Sequence, residues 1–181
     1  MDVKKNNTRG YRTGKAGFSL IEIMITISII GILSAVSIVS LSGLKTKQDI
    51  EGNARRLAAA IREAQNYAVT GHSINPATAT PPCVLRVAAT GASFTMTQSD
   101  AGTCATYAGN IVYPLSNGVT VSATSSVRFS VPRAEPRNDS DQELGSVSGN
   151  DKIVFTLTKG GVSGYVCIYP LGRIDDNLTG C

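Results

Sequence analysis

A long apolar segment near the N-terminus constrains the fold of this chain more than any other feature. Between Phe18 and Leu44 the sequence reads FSLIEIMITISIIGILSAVSIVSLSGL, with Glu22 as its one charged residue. About 20 apolar residues in a helix are enough to cross the hydrocarbon layer of a membrane. A secretory signal peptide has a shorter apolar core that ends at a small-residue cleavage site. The segment is therefore predicted to be a retained membrane helix.

The positive charge of the chain is concentrated ahead of this segment. The whole chain has a formal net charge of +4. Five of its 17 basic residues but only one of its 13 acidic residues precede Phe18, so the remainder carries 12 of each sign. A basic flank predicts that the N-terminus stays in the cytoplasm and that the following domain is exported. Because the remainder has no net charge to attract phosphates, nucleic acid is not expected as a partner.

The helical pattern continues beyond Leu44 but changes character. Over residues 45–70 the apolar residues recur at spacings of three and four, which is typical of a helix with one buried face. No proline interrupts the pattern, and Gly71 is positioned to end it. We therefore predict one helix with a membrane half, residues 18–44, and an amphipathic half, residues 45–71. The positions predicted to be buried are Ile50, Ala54, Leu57, Ala58, Ile61, Ala64 and Ala68.

The C-terminal part, residues 72–181, is predicted to be a β-rich domain. Short runs rich in valine, isoleucine, threonine and aromatic residues alternate there with glycine, asparagine, serine and proline. This spacing indicates antiparallel sheets that pack on the apolar stripe of the helix, which is an α+β fold. The polar segment Pro132–Asn150 is predicted to be a long exposed loop. The predicted strands are CVLRV, SFTMT, NIVYPL, GVTVS, SVRFS, KIVFTL and GYVCIY.

Four cysteines, Cys83, Cys104, Cys167 and Cys181, all lie in this C-terminal part. They form no C-x-x-C pair and the chain has one histidine, so the sequence does not support a zinc site. An even number of cysteines beyond a membrane segment suggests disulfides in an oxidising compartment. Of the three possible pairings we favour Cys83–Cys104 with Cys167–Cys181, because each bond closes a short loop rich in turn-forming residues. Free buried thiols are the alternative.

Glu22 needs a physical explanation, because an ionised carboxylate inside an apolar span is costly in lipid, by roughly 2.5 kcal/mol or more. A cut between Gly17 and Phe18 would create a terminal amine one helical turn from Glu22, at the i, i+4 spacing. The carboxylate would pair with that amine in its own chain or in a neighbouring subunit. An intermolecular pair would make burial depend on subunit register. Glu22 is therefore predicted to act in assembly; an interfacial Glu that reaches the lipid head groups is the alternative.

The junction KAGFSLIE, residues 15–22, resembles the leader junction of type IV pilins and type II secretion pseudopilins. The resemblance extends to about Leu44 and implies a pilin-like fold, with a long N-terminal helix packed on an antiparallel β-sheet. It implies that a prepilin peptidase cuts after Gly17, on the cytoplasmic side of the bacterial inner membrane, and methylates Phe18. Residues 1–17 would then be a leader peptide, and Glu22 would guide docking into the filament.

The same resemblance implies partners and a location. The expected partners are the prepilin peptidase, the inner membrane and other pilin or pseudopilin subunits. The expected location is the inner membrane, in a single-pass orientation with the C-terminal domain in the periplasm, followed by a periplasmic or surface filament.

The C-terminal run YVCIYPLGRI, residues 165–174, resembles the closing strand and Gly-Arg turn of the GspH/FimT minor pseudopilins. Residues 55–68 and 127–129 resemble other parts of that group. The implied function is structural, as a minor subunit that starts or caps a filament. FimT-like members bind DNA during natural transformation through a Gly-Arg-x-Arg cluster. Here Arg173 is present but Asp175 replaces the second arginine and repels phosphate, so DNA binding is kept as the alternative function.

No constellation of catalytic residues stands out. A Gly-rich phosphate loop, a nucleophile elbow and a histidine-based dyad are all missing from the sequence, and His72 is interpreted as incidental. The chain is not predicted to be an enzyme or to bind a cofactor. Residues 139–143 and 175–177 supply oxygen ligands, but neither run has the full calcium-loop spacing. Both are predicted to be solvated turns, and no metal site is predicted.

Overall fold

The computed structural model describes residues 17–74, 81–99, 104, 107–146 and 151–181, with the side chains of residues 36–42 and 107–108 excepted. Apart from Gly17, the predicted leader peptide lies outside the described residues. The chain divides into an N-terminal unit that ends at Leu41 and a C-terminal unit, Ser42–Cys181, and each is described by itself.

The helix α1 begins at Leu20 and ends at Thr70, a length of 51 residues. Gly71 follows it with a φ of +66°. His72 N then donates to the Tyr67 carbonyl at 3.0 Å, which closes the last turn. A glycine in the left-handed conformation is the common way to end a helix, because it has no Cβ to clash. The predicted helix and its predicted end are confirmed.

In the C-terminal unit, one face of α1 is buried. All seven positions that the sequence pattern predicted for this face are buried. Asn53 is also buried, although its side chain is polar. Its amide oxygen accepts a hydrogen bond from Ser116 N at 3.0 Å, and its amide nitrogen donates to the Asp49 carbonyl at 2.8 Å. A buried amide is tolerated when its donors and acceptors are satisfied in this way.

The described residues contain eight strands: β1 Val84–Gly91, β2 Ser93–Ser99, β3 Tyr107–Pro114, β4 Thr120–Ser130, β5 Pro136–Arg137, β6 Ile153–Lys159, β7 Val162–Ile168 and β8 Ile174–Asn177. They form one antiparallel sheet in the order β3-β2-β1-β4-β6-β7-β8, with β5 paired to β4. Together with α1 they form an α+β fold in which the helix packs on an antiparallel sheet. The predicted fold class is confirmed.

The core lies between the buried face of α1 and one face of the sheet. Its largest fully buried members include Phe94, Phe129 and Phe155 from the strands and Ile50 from the helix. Gly164 on β7 allows the helix to approach closely, because a Cβ at that position would overlap the Ile50 side chain. Close packing of this kind leaves no room for added volume.

Two details of the strand prediction are wrong. The runs GVTVS and SVRFS form the single strand β4, which pairs with β1 on both sides of a register shift, from Val84↔Ser130 to Ala89↔Ser125 and again at Gly91↔Val121. The strand β8 was not predicted, since it is short and carries two acidic residues. Its pairing with β7, which includes Ile168↔Ile174, makes this segment a strand although its composition does not favour one.

The prediction of a long exposed loop over Pro132–Asn150 is also wrong in part. Residues 147–150 lie outside the described residues. Within the remainder, β5 pairs with β4, and the side chains of Ala134 and Leu144 are buried. The polar composition of this segment predicted that it would be exposed. The buried side chains of Ala134 and Leu144, together with the pairing of β5 with β4, instead hold it on the sheet.

Both predicted disulfides are confirmed. Cys83 bonds to Cys104 with a Cα–Cα distance of 5.4 Å, and Cys167 bonds to Cys181 with 5.9 Å. The first bond links the residue before β1 to the connection between β2 and β3. The second fixes the C-terminal residue to β7. Cross-links of this kind stabilise a fold chiefly by restricting the unfolded chain.

Candidate functional site

The predicted cleavage and assembly residues lie at the start of α1. Gly17 and Phe18 precede the helix, and Glu22 lies in its first turn. Glu22 N donates to the Ser19 carbonyl at 3.1 Å, so the backbone of this turn is closed. Phe18 and Glu22 border the same surface depression, of about 230 Å³, together with Ile23 and Thr26. The junction is exposed, and the roles of Gly17, Phe18 and Glu22 remain predictions.

Three hydroxyl side chains of the apolar half are satisfied within the helix itself. Each of three hydroxyl side chains donates to a carbonyl three or four residues earlier, at distances between 2.7 and 2.9 Å. The bonds are Thr26 to Ile23, Ser28 to Met24 and Ser34 to Ile30. Such back-bonding removes the need for a polar partner outside the helix. These residues therefore present a mainly apolar surface.

Glu22 differs from these hydroxyl residues, because an ionised carboxylate only accepts hydrogen bonds and cannot donate to a helix carbonyl. Within the described parts of the chain, no basic side chain forms an ion pair with it. Its carboxylate is exposed in the first turn.

The predicted membrane half, residues 18–44, lies mostly in the N-terminal unit. Its described apolar side chains from Phe18 to Leu33 are exposed on every side of the helix. In the part of the chain that the structure describes, we find no helix with the length and hydropathy needed to cross a membrane.

Arg173, the residue of the alternative DNA site, lies in the turn between β7 and β8. Its guanidinium group stacks over the Tyr169 ring, 4.1 Å from the centroid. It also forms an ion pair with Asp175 at 3.2 Å. The next acidic residue, Asp176, has its Oδ2 atom 3.9 Å from Nε of Arg55. Carboxylates therefore offset the positive charge at the place where a Gly-Arg-x-Arg cluster would concentrate it.

The acidic run 139–143 is half-exposed, as predicted, but its carboxylates are paired with arginines. The arginines come from neighbouring strands and lie in register, Arg86↔Arg128 on β1 and β4 and Arg128↔Arg137 on β4 and β5. The pairs are Asp139–Arg86 at 2.9 Å, Asp141–Arg128 at 3.6 Å and Glu143–Arg137 at 2.6 Å. Among the described residues, no three potential metal-binding side chains converge. This network could not be predicted from the sequence, because it depends on the register of the strands and not on the spacing of residues along the chain.

His72 packs on the last turn of the helix. Its ring lies 4.9 Å from the Tyr67 ring, centroid to centroid. The Tyr67 hydroxyl donates to Glu63 at 2.7 Å, and this bond together with burial raises the pKa of Tyr67. The histidine therefore contributes an aromatic contact at the end of α1.

A second polar cluster, which the sequence did not indicate, holds α1 near the beginning of the C-terminal unit. Asp49 forms an ion pair with Lys159 at the end of β6 and accepts a hydrogen bond from Asn117 Nδ2 at 2.7 Å. The hydrogen bond from Lys159 is the main cause that lowers the pKa of Asp49, and burial opposes it. The cluster joins the helix to the end of β6 and to the connection between β3 and β4. Its role is structural.

A long N-terminal helix that packs on a C-terminal antiparallel sheet is consistent with a pilin-like fold. Residues 12–38 match the family model described as the prokaryotic N-terminal methylation motif. The chain therefore carries a type IV pilin-like prepilin signal, and the resemblance to pilins and pseudopilins is confirmed. The motif does not distinguish the GspH/FimT group from other members. Comparison with curated proteins finds no match to this chain, and comparison with solved structures finds none either.

The methylation motif has consequences for processing. It implies cleavage by a prepilin peptidase, a membrane-anchored N-terminal segment and assembly with other pilins. It points to a structural protein and not to an enzyme.

Proposed function

We propose that the chain is a minor subunit of a type IV pilus or a type II secretion pseudopilus, and that it helps to start or cap the filament. One observation carries the proposal. Glu22 lies in the first turn of an apolar helix, borders the same depression as Phe18, and forms no ion pair with a basic side chain of the described residues. Cleavage after Gly17 would give Phe18 a terminal amine, a cation one helical turn from this carboxylate.

The energetics favour a pairing between subunits. An ionised carboxylate in an apolar environment costs roughly 2.5 kcal/mol or more, and an opposite charge offsets part of that cost. The amine of Phe18 is available in every cleaved subunit. A carboxylate and an amine from adjacent subunits meet only when the helices are in register, so the pair selects one arrangement over sliding alternatives.

The minor role is supported by the C-terminal part. The run that resembles GspH/FimT pseudopilins covers most of β7, the turn and the first residue of β8. The closing segment carries the Arg173–Asp175 ion pair and is cross-linked by the second disulfide. We infer that the subunit works at an end of the filament, where few copies are needed.

The test is carried out on the full chain, expressed with a prepilin peptidase and the filament machinery of its own cell. We expect Glu22→Ala to be cleaved and retained in the membrane, but to enter sheared filaments at a level at least about tenfold lower, which corresponds to 1.4 kcal/mol. Ser28→Ala is the matched control, because the Ser28 hydroxyl donates to its own helix at 2.8 Å and needs no partner. Normal incorporation of the Glu22→Ala chain would refute the proposed pairing.

Cleavage is tested separately with Gly17→Ala, which we expect to remain at precursor size on a gel. A mature-sized band would show that the peptidase does not read this junction as proposed.

DNA binding through Arg173 is the alternative function, and the ion pair between Arg173 and Asp175 weighs against it. A gel-shift with the full chain at physiological salt distinguishes the two. Salt-sensitive micromolar binding that is lost in Arg173→Ala would reverse the order of the two functions.

A further inference from the structure

The sequence contains three Asn-x-Ser/Thr triplets, which begin at Asn6, Asn138 and Asn177. This triplet, with any residue except proline in the middle, is the acceptor for N-linked glycans in exported proteins. Asn6 lies in the predicted leader peptide and outside the described residues. The other two triplets lie in the C-terminal unit, and their surroundings in the structure differ.

The triplet at residues 177–179 exposes both of the residues that define it. Asn177 and Thr179 are exposed, whereas Leu178 between them is partly buried against the core. Side chains of an extended segment alternate between its two faces, so the inward leucine places its two neighbours on the outer face. Asn177 and Thr179 also border the same surface depression, of about 290 Å³. An enzyme therefore has access to the amide and the hydroxyl group together.

The carboxamide of Asn177 is held in one orientation. Its Oδ1 atom accepts hydrogen bonds from Thr179 N at 3.0 Å and from Gly180 N at 2.9 Å. Because a backbone N–H only donates, the atom that accepts these bonds has to be the oxygen. Nδ2, the atom to which an N-linked glycan is attached, forms no hydrogen bond within the described parts of the chain. This nitrogen is therefore available for reaction.

The triplet at Asn138 differs in both respects. Asn138 is half-buried, and its Nδ2 atom donates to Gln142 Oε1 at 3.0 Å. Its Oδ1 atom accepts a hydrogen bond from Gln142 N at 2.9 Å, so both ends of the carboxamide are bound. The middle residue, Asp139, forms an ion pair with Arg86. This second triplet provides a comparison within the same chain.

The position of β8 in the sheet also favours recognition of Asn177. β8 lies at one end of the strand order, so one of its edges is not paired with another described strand. A free strand edge allows an enzyme to bind the extended chain through its backbone N–H and carbonyl groups.

Asp175 lies two positions before Asn177 and completes the longer pattern Asp-x-Asn-x-Thr. This is the acceptor pattern of bacterial oligosaccharyltransferases, which read the acidic residue as well as the triplet. Asp175 forms an ion pair with Arg173, but both side chains are exposed. Exposed ion pairs contribute little to stability, so the carboxylate is readily exchanged from Arg173 to a basic group of the enzyme.

We propose that Asn177 is the acceptor for an N-linked glycan, which is added after the C-terminal unit has been exported. The donor is a glycan carried on a polyprenyl diphosphate lipid, and the catalyst is an oligosaccharyltransferase. A bond forms between Nδ2 of Asn177 and the anomeric carbon of the first sugar, while the bond from that carbon to the diphosphate oxygen breaks. The lipid diphosphate leaves with the electron pair, and one proton of the amide passes to a base of the transferase.

The inference goes beyond the proposed function and shares with it only the expected export of the C-terminal unit. A glycan is bulky and hydrophilic, so the surface around Asn177 would face solvent in an assembled filament.

The test uses the full chain, purified from its own cells, reduced and cleaved with trypsin. Cleavage after Arg173 releases residues 174–181, in which Asn177 is the single asparagine. We expect mass spectrometry to find this peptide with the added mass of a glycan. Recovery of the peptide only at its unmodified mass would overturn the proposal.

A glycan on the Thr179 hydroxyl would give a peptide of similar mass, so three variants identify the modified residue. Asn177→Gln and Thr179→Val should each lose the glycan, whereas Thr179→Ser should keep it, because the triplet accepts serine as well as threonine. Both changes at position 179 leave the backbone N–H that bonds to Asn177. A glycan that persists in Asn177→Gln would assign it to the hydroxyl group and overturn the proposal.

The triplet at Asn138 is the control for accessibility. The tryptic peptide 138–152 contains it and should keep its unmodified mass, and Asn138→Gln should leave the glycan on peptide 174–181 unchanged. Equal modification of Asn138 and Asn177 would contradict a selection that depends on exposure and on the free amide nitrogen.

A Glu22→Ala background separates this inference from the proposed function. Filament assembly is expected to fail there, whereas the exported chain should still carry the glycan. A parent chain that enters filaments normally but carries no glycan would overturn this inference alone.

Discussion

The two halves of α1 share a backbone conformation but differ in where their apolar side chains find partners. In the C-terminal unit, one stripe of the helix is buried against the sheet and the opposite face carries arginines and acids. In the N-terminal unit, the large apolar side chains from Leu20 to Leu33 are exposed on all faces of the helix. A helix with one apolar stripe needs one partner, whereas a helix that is apolar all round needs to be surrounded.

The polar residues of the two halves show the same difference. In the second half, polar side chains such as Asn53 and Asp49 bond to other parts of the C-terminal unit. In the first half, the hydroxyls of Thr26, Ser28 and Ser34 bond to their own helix, and Glu22 forms no ion pair with a described basic side chain. The second half thus finds its partners in its own chain, whereas the described residues offer the first half no comparable partners.

The largest effect is expected for a matched pair of isoleucines. Ile61 is 0% exposed and Ile32 is 68% exposed. We expect Ile61→Ala to lower the free energy of unfolding of the C-terminal unit by about 2–5 kcal/mol, because it leaves a cavity in the core. Ile32→Ala should change it by less than about 0.5 kcal/mol. Urea unfolding of the full chain in detergent, followed by tyrosine fluorescence, measures both.

Equal losses in the two isoleucine variants would mean that the first half also packs within its own chain, and would remove the distinction between the halves.

A smaller, pH-dependent effect is expected at Asp49. The pKa of its carboxyl is lowered from its ordinary value of 3.8, first by the hydrogen bond from Lys159. A lowered pKa in the folded state stabilises the fold above the ordinary pKa, and that contribution is lost as the pH falls through the lowered value. We therefore expect Asp49→Asn to be less stable than the parent at pH 7, and the difference to shrink below pH 3.8.

Urea midpoints measured from pH 7 down to pH 2.5 test this dependence. The lower end of this range lies about one unit or more below the ordinary pKa of an aspartate. Asp151→Asn, at an exposed position, is the control and should follow the parent throughout. A difference between Asp49→Asn and the parent that stays constant over this range would contradict the role of the ionised carboxylate.

The smallest effect is expected for two helical glycines. Gly52 and Gly31 each have open space where a Cβ would be placed. Alanine favours a helix over glycine by up to about 1 kcal/mol, so Gly52→Ala should stabilise the C-terminal unit by that amount. Gly31→Ala should leave the unfolding midpoint of that unit unchanged. A loss of stability in Gly52→Ala would reveal a contact on a face of α1 that is open in this structure.

Local sequence patterns predicted much of this protein. The spacing of three and four residues identified seven buried positions between Ile50 and Ala68 but missed Asn53 and Ala60, which are buried as well; the seven were accessible because helical periodicity is a property of neighbouring residues. Gly71 ended the helix as predicted, since its φ of +66° suits a residue without a Cβ. The disulfide pairing was also predicted, because both bonds close short loops. The Gly17–Phe18 junction was identified by its motif, which the match over residues 12–38 supports.

Other features were decided only by the tertiary structure. Pairings between residues far apart in the sequence, which no local pattern encodes, determine the continuity of β4 and the existence of the strand β8. They also bring Arg86, Arg128 and Arg137 side by side on neighbouring strands. Leu144 is buried in a segment of polar composition because the sheet gives it an apolar surface to cover. The left-handed conformation of Leu171 follows from the way the turn between β7 and β8 is held against α1 and across its own ends. Sequence thus determined the helix and its processing signal, and long-range packing determined the surfaces that a partner would meet.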